Sequence, residues 1–234
     1  LNSSSKYEYS VKNLHPKTTY NISVYAANSY GKGNVSTISF ATDSLVYLDK
    51  AGTLPNVIAE GQKYLLTTLK IVGPINGTDI GYLHEMGGVA NYGGNVLTSG
   101  KLATLDLSDA TIESGGNGVN HWDVLWYSET NTITRRFLDG TTSIRTITIP
   151  SSVTKIVGGG INADCALESI IVPENNPYFS SADGLLYNKN KTLLIALPPI
   201  KKSNALTIPN SVTELGDLSL WGVSYVKQLT LPNT

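Results

Sequence analysis

Two periodicities divide the chain. Along Tyr20-Asn21-Ile22-Ser23-Val24-Tyr25-Ala26, the residues Tyr20, Ile22, Val24 and Ala26 fall on one face and mostly polar ones on the other. A period of two predicts a half-buried antiparallel strand. Leu14-His15-Pro16-Lys17-Thr18 before it is a corner, because proline ends the preceding strand. Tyr30-Gly31-Lys32-Gly33-Asn34 predicts a turn, and residues 35–41 the returning strand. Further on, Leu66-x-x-Leu69-x-Ile71 and Leu102-x-x-Leu105-x-Leu107-x-x-Ala110-x-Ile112 share one template. Between them Ile80, Leu83 and Met86 recur every third residue. That spacing predicts a short helix with one apolar face, N-capped by Thr78 or Asp79 and closed by Gly87-Gly88.

The last part of the chain repeats. The pattern apolar-x-apolar-Pro occurs at Ile147–Pro150, Ile170–Pro173, Ile195–Pro198, Leu206–Pro209 and Leu229–Pro232. Leaving Pro198 aside, the prolines are 23, 36 and 23 residues apart. The long interval holds an extra unit. Gly184-Leu185-Leu186-Tyr187, a turn at residues 188–191 and the run 192–197 predict an inserted β-hairpin. The phrases Ile149-Pro150-Ser151-Ser152-Val153-Thr154 and Ile208-Pro209-Asn210-Ser211-Val212-Thr213 differ at one position. A period near 23 falls in the roughly 20–29 range of leucine-rich repeats, whose units bury their apolar rungs only by stacking.

Two family resemblances rest on these residues. Leu14-x-Pro16-x-Thr18-x-Tyr20, followed by Val24, Ala26, Asn28, Gly31, Gly33, Ser36 and Thr42, resembles the second half of a fibronectin type III domain. The resemblance implies that Tyr20 makes a tyrosine corner, its hydroxyl bonding to backbone upstream. The first strands of such a sandwich are missing, and half a sandwich cannot bury its own inner face. The repeats resemble BspA-like leucine-rich repeats. Asn162-Ala163-Asp164-Cys165 with Leu167 matches the end of that unit, and residues 211–216 its middle. Residues 176–187 match a hairpin-bearing variant, and residues 66–110 a cap that opens the array. Val157-Gly158-Gly159-Gly160-Ile161 replaces the family's usual helical Ala-Phe, so an irregular segment is expected there. The fold expected is mainly β with short helical or irregular segments: a leucine-rich repeat solenoid plus a partial fibronectin type III-like β-sandwich. Residues 1–43 would be the half-sandwich, 44–118 the cap and first repeats, and 119–234 the repeats with an inserted hairpin near 184–197.

Composition narrows the function. Charged residues are only 15% of the 234, with 17 basic and 18 acidic side chains, so no global field draws in a polyanion. No apolar run reaches the roughly 18 residues of a membrane helix. Thirteen Tyr against three Phe, with abundant Ser, Thr and Asn, suit a β-rich extracellular protein. The sole Met is Met86 and Leu1-Asn2-Ser3-Ser4 is no signal peptide, so a fragment or mature segment is expected, its export signal upstream. The sole cysteine, Cys165, cannot form an internal disulfide or a multi-cysteine zinc site, and it is expected buried and inert. His15, His84 and His121 lie in different segments, and His84-Glu85 lacks the second His of a zinc-protease helix. Asp106 and Asp109 are expected in a solvated strand end and turn rather than in a calcium loop. No constellation supports catalysis, and no cofactor or metal is expected.

Two surfaces are candidate binding sites. In the apolar-x-apolar strands the intervening residues point to the open sheet surface. They are Thr68, Lys70, Thr104, Asp106, Thr146, Thr148, Ser169, Ile171, Thr207 and Thr230, a stripe rich in hydroxyls. The second is the aromatic cluster Trp122, Trp126 and Tyr127, in an insertion after Gly115-Gly116-Asn117-Gly118, where a sugar ring could stack. These features, with the resemblance, imply a non-catalytic extracellular recognition or adhesion module on a bacterial surface, with a protein or glycan partner and no nucleic acid. The alternative is a scaffold or carbohydrate-binding arm of a larger secreted enzyme.

Overall fold

The computed structural model describes residues 18–41, 44–90, 97–121, 124–135, 137–161 and 165–232. The chain is mainly β with few helices. Strand β1 (Thr19–Val24) and strand β4 (Ser36–Ala41) pair antiparallel, Tyr20 opposite Phe40 and Ile22 opposite Ile38. The short strands β2 (Ala27–Asn28) and β3 (Gly31–Lys32) make the turn between them. Ile38 and Val24 are 62% exposed, so this pair leaves apolar surface in solvent. Tyr20 is half-buried, and the upstream part of its expected corner lies outside the described residues.

Next come strand β5 (Leu45–Tyr47), two single-turn helices, α1 (Leu54–Val57) and α2 (Glu60–Lys63), strand β6 (Thr68–Ile75) and helix α3 (Gly77–Met86). Helix α3 carries the expected apolar residues Ile80, Leu83 and Met86, all buried. Its cap is not Thr78 or Asp79 but Asn76, whose Oδ1 accepts from Thr78 N at 3.0 Å. Asp79 sits three residues in and accepts from Asn76 N at 2.9 Å, which completes a capping box. Asp79 is fully buried because it also accepts from Gly52 N at 2.5 Å and Leu54 N at 2.9 Å, tying the loop before α1 to the helix. Lys63 is buried as well. Burial opposes its charge, but the carboxylates of Glu85 and Glu60 more than offset that and hold the ammonium above the usual lysine range. The Tyr82 ring lies 4.6 Å from its Nζ.

Strand β7 (Thr104–Ile112) follows, then the antiparallel hairpin of β8 (Gly115–His121) and β9 (Val124–Ser128), and β10 (Thr132–Ile133). The repeats supply β11 (Thr146–Thr148), β12 (Lys155–Ile156) and β13 (Ser169–Ile171). The inserted unit is a three-stranded meander: β14 (Phe179–Ala182), β15 (Leu185–Asn188) and β16 (Leu193–Ala196). Its first turn is Asp183-Gly184, both at positive φ (52° and 79°), the backbone sign that type I′ hairpins require. The chain closes with β17 (Leu206–Thr207), β18 (Glu214–Leu215) and β19 (Leu229–Thr230).

Five strands form one parallel sheet in the order β13-β11-β7-β6-β5. Leu69, Leu105, Ile147 and Ile170 are buried beneath it, as are Ile71 and Leu107. Pro150, Pro173 and Pro209 each follow a strand by one residue and end it, having no N–H to donate. The segment at Gly158-Gly159-Gly160 is a turn, as expected, not a helix. A Cβ on Gly160 would come 2.8 Å from the Thr134 and Val157 carbonyl oxygens, and one on Gly159 2.9 Å from Leu218 Cδ1. Residues 217 and 218 pack on Gly158 and Gly159, and backbone carbonyls of residues 133, 134 and 157 close round Gly160, which leaves little room for side chains there.

Cys165 belongs to the core, 9% exposed, its Sγ 3.6 Å from the Ile161 carbonyl oxygen. Cys165→Ala should cost about 1 kcal/mol, mostly as lost packing. A thiol reagent should label the native protein far more slowly than the unfolded one. Equal labelling rates would mean that the thiol is exposed.

Candidate functional site

The sheet register assembles eight of the ten stripe residues. Thr68, Thr104, Thr146 and Ser169 stand opposite one another in one row, and Lys70, Asp106, Thr148 and Ile171 in the next. Neighbouring strands lie about 4.8 Å apart, so each row is a ladder of side chains at that spacing. The residues between the rows, Leu69, Leu105, Ile147 and Ile170, point into the core, which forces the named ones outward. All-parallel sheets ordinarily have both faces covered. Here Thr68 and Thr104 are exposed, and so is Ile171 at 42%.

Thr207 and Thr230 do not continue these rows. They pair with each other in a separate two-stranded sheet of β17 and β19. The inserted meander is the cause. Ile170 N donates to the Gly184 carbonyl at 2.9 Å and Val172 N to Ser181 Oγ at 2.9 Å, so the hairpin turn occupies the free edge of β13. The stripe is therefore two separate patches.

The centre of the larger patch is more charged than expected. Lys70 Nζ lies 2.6 Å from Asp109 Oδ2, 3.5 Å from Asp106 Oδ2 and 3.2 Å from Ser108 Oγ. Asp109 is no turn residue: β7 runs on to Ile112, with a register shift opposite Lys70 and Val72 that brings Asp109 within reach. The bond to Asp109 raises the Lys70 ammonium above its ordinary value, against a smaller opposing effect of burial. Burial acts to raise Asp106, but the Ser108 amide and hydroxyl and the Lys70 charge outweigh it and hold the carboxyl below the usual range. Periodicity in the sequence placed Lys70 and Asp106 on the open face. It could not reveal that Asp109 joins them, because the shift in register is a property of the strand pair.

The aromatic cluster is only partly described. Trp122 lies outside the described residues, and Trp126 is placed on β9 opposite Val119. Tyr127 is 57% exposed. The hairpin of β8 and β9 is fastened to the start of α3: Gly77 N donates to Ser128 Oγ at 3.0 Å, and Asn117 N to Thr78 Oγ1 at 2.9 Å. Among the described residues no group of His, Cys, Asp and Glu could hold a metal ion, and no helix is long and apolar enough to cross a membrane.

No family model and no curated protein matches the chain. Among solved structures it is similar to the pneumococcal vaccine antigen PcpA, at 21% identity and a TM-score of 0.46, over 71% of this chain and 45% of that one. It is similar to a leucine-rich repeat protein from Eubacterium ventriosum at 19% identity and a TM-score of 0.42, over 81% and 48%. It is also similar to a leucine-rich cell surface protein from Faecalibacterium prausnitzii at 13% identity and a TM-score of 0.36, over 88% and 61%. The chain thus spans about half the length of these structures.

Proposed function

We propose that this chain is a non-catalytic recognition module of an exported or surface-attached bacterial protein, and that it binds a protein partner on the open face of the five-stranded sheet. The in-register double row of Thr68, Thr104, Thr146, Ser169 and Lys70, Asp106, Thr148, Ile171 supports this reading above all. An extended, half-open sheet lets a macromolecule touch several strands while each contributes little. The reading includes a leucine-rich solenoid for residues 44–118 and 119–234, and a fibronectin type III-like half-sandwich for residues 1–43. The exposed Tyr127, which follows Trp122 and Trp126 in the sequence, favours a second reading, a scaffold or carbohydrate-binding arm of a larger secreted enzyme.

The two readings separate in one experiment. The protein, the Thr146→Lys/Thr148→Lys variant and the Trp122→Ala/Trp126→Ala variant are tested on a glycan array and against surface-matrix proteins. Loss of a protein partner, more than tenfold, in the lysine variant alone is the expected result. Loss of a glycan in the tryptophan variant alone establishes the second reading. Binding of a confirmed ligand unaltered in both variants overturns both. The charged centre adds a pH signature. Lys70 is raised, so its pairing is complete below the ordinary lysine value and lost only as pH rises through its folded value. Asp106 is lowered, so its pairing is complete above the ordinary carboxyl value and lost only as pH falls through its folded value. Binding on this face should therefore be flat from about pH 5 to pH 9.

A further inference from the structure

The open face of the five-stranded sheet carries a third row beside the two already described. Tyr47 of β5 stands opposite Val72 of β6, and Val72 opposite Asp109 of β7. Val46 and Ile71, which precede Tyr47 and Val72, are buried at 1% and 0%, so alternation turns Tyr47 and Val72 outward. Asp109 joins them through a bulge. Between the pairs Lys70–Asp106 and Val72–Asp109, Leu107 and Ser108 of β7 together oppose Ile71 of β6. A regular ladder would have put the Ser108 hydroxyl opposite Val72; the extra residue puts a carboxylate there.

The row is open, and its polar groups are not used up. Tyr47 is 61% exposed and the Asp109 side chain 56%, with Val72 half-buried between them. Among the described residues Lys70 is the sole partner of the Asp109 carboxylate, and the Tyr47 hydroxyl has none. A carboxylate can accept about four hydrogen bonds, so Asp109 keeps acceptor capacity facing solvent. Lys70 keeps none to give. Its three donors are directed at Asp109, Asp106 and Ser108, at 2.6, 3.5 and 3.2 Å. One ammonium against two carboxylates leaves the centre of the face net negative. The remaining members of the first two rows, Thr68, Thr104, Thr146, Thr148, Ser169 and Ile171, carry no charge.

We propose that a protein partner docks on this face through an arginine side chain, laid over Val72 between the Tyr47 ring and the Asp109 carboxylate; the proposal rests on the protein-binding reading above. Charge complementarity selects a cation, because a partner's carboxylate would meet a centre that is already net negative. Two strand spacings, about 9.6 Å, separate the backbones of Tyr47 and Asp109, which leaves room for one side chain on Val72. Val72 takes the methylene stem, as apolar surface does for long basic side chains. The head group between an aromatic ring and a carboxylate is best a guanidinium. It is planar and weakly hydrated, it stacks on a tyrosine ring, and its fork of donors can reach the carboxylate and the tyrosine hydroxyl together. A lysine ammonium is a strongly hydrated point charge with no face to stack.

An end-blocked Gly-Arg-Gly peptide, titrated to millimolar concentration into the isotope-labelled full chain, tests the proposal beside the same peptide carrying citrulline or lysine. Saturable shifts of backbone resonances confined to residues 45–48, 70–73 and 106–111 are expected with arginine. Citrulline keeps the shape without the charge and should bind about tenfold more weakly, and lysine severalfold. Asp109→Asn and Tyr47→Ala should each weaken the arginine peptide about fivefold or more and leave Tm nearly unchanged, since both side chains are exposed. Lys70→Met should tighten it, because the internal cation no longer competes for Asp109. No saturable shifts, shifts scattered elsewhere, equal binding of the citrulline or lysine peptide, or full affinity in Asp109→Asn or Tyr47→Ala would overturn the proposal. So would equal or weaker binding by Lys70→Met. These outcomes involve no natural partner, so the protein-binding reading stands or falls separately, on the Thr146→Lys/Thr148→Lys variant.

Discussion

Asp79→Ala should destabilise the protein by about 3–4 kcal/mol, a fall in Tm of about 10 °C. Its carboxylate is fully buried and accepts from the amides of Asn76, Gly52 and Leu54. Truncation leaves three donors without an acceptor, two of them at the junction of the α1 loop and α3. A buried N–H that loses its partner costs roughly 1–3 kcal/mol, and bonds to a charged acceptor lie at the upper end. The helix also loses half of its capping box and the negative charge at its N-terminus. Asp79→Asn keeps one carbonyl oxygen and should recover part of the loss. A thermal melt of the two variants checks this. Wild-type melting of Asp79→Ala would mean that water replaces the carboxylate at no cost.

Asn176→Leu should cost about as much, by a different route. The side chain is similar in volume, so packing is nearly preserved. Four backbone groups lose their partners at once: the carbonyls of Ser151 and Val153, and the amides of Tyr178 and Phe179. A fully satisfied buried network is worth more than its pairs taken singly, so about 3–4 kcal/mol is expected. The damage should be local first. Hydrogen exchange at the Tyr178 and Phe179 amides should accelerate more than at the Leu105 or Ile147 amides, which lie in the five-stranded sheet. Uniform acceleration across the chain would show that the unit does not open separately.

The same residues show how far the sequence could be followed. The apolar-x-apolar strands, the prolines that end them and the inserted hairpin were legible because each depends on residues close in the chain. The three-residue spacing of Ile80, Leu83 and Met86 located helix α3 for the same reason. Its cap was misplaced. Thr78 and Asp79 are competent caps, but Asp79 is held by the amides of Gly52 and Leu54, more than twenty residues away in sequence. The meander was only half-expected. Strand β14 has the sequence Phe-Ser-Ser-Ala, whose strand identity comes from pairing with β15 rather than from its own pattern.

The sequence by itself determined which side chains face outward from each strand, because a period of two assigns every second residue to one face. It also determined the unit length and the hydroxyl-rich rows of the open face, but not the charged centre that Lys70, Asp106 and Asp109 make there. Tertiary structure alone decided how the strands line up. Register placed Thr68, Thr104, Thr146 and Ser169 in one row and brought Asp109 to Lys70. The hairpin turn at Gly184, bonded to Ile170, parted Thr207 and Thr230 from that row. Covering of the turn at Ser151–Val153 by Asn176, more than twenty residues on, was likewise invisible in the phrase itself. The physical reason is common to all three. The hydrogen bonds concerned join residues 9 to 42 positions apart, and no local pattern of apolar and polar residues encodes which partner each will meet.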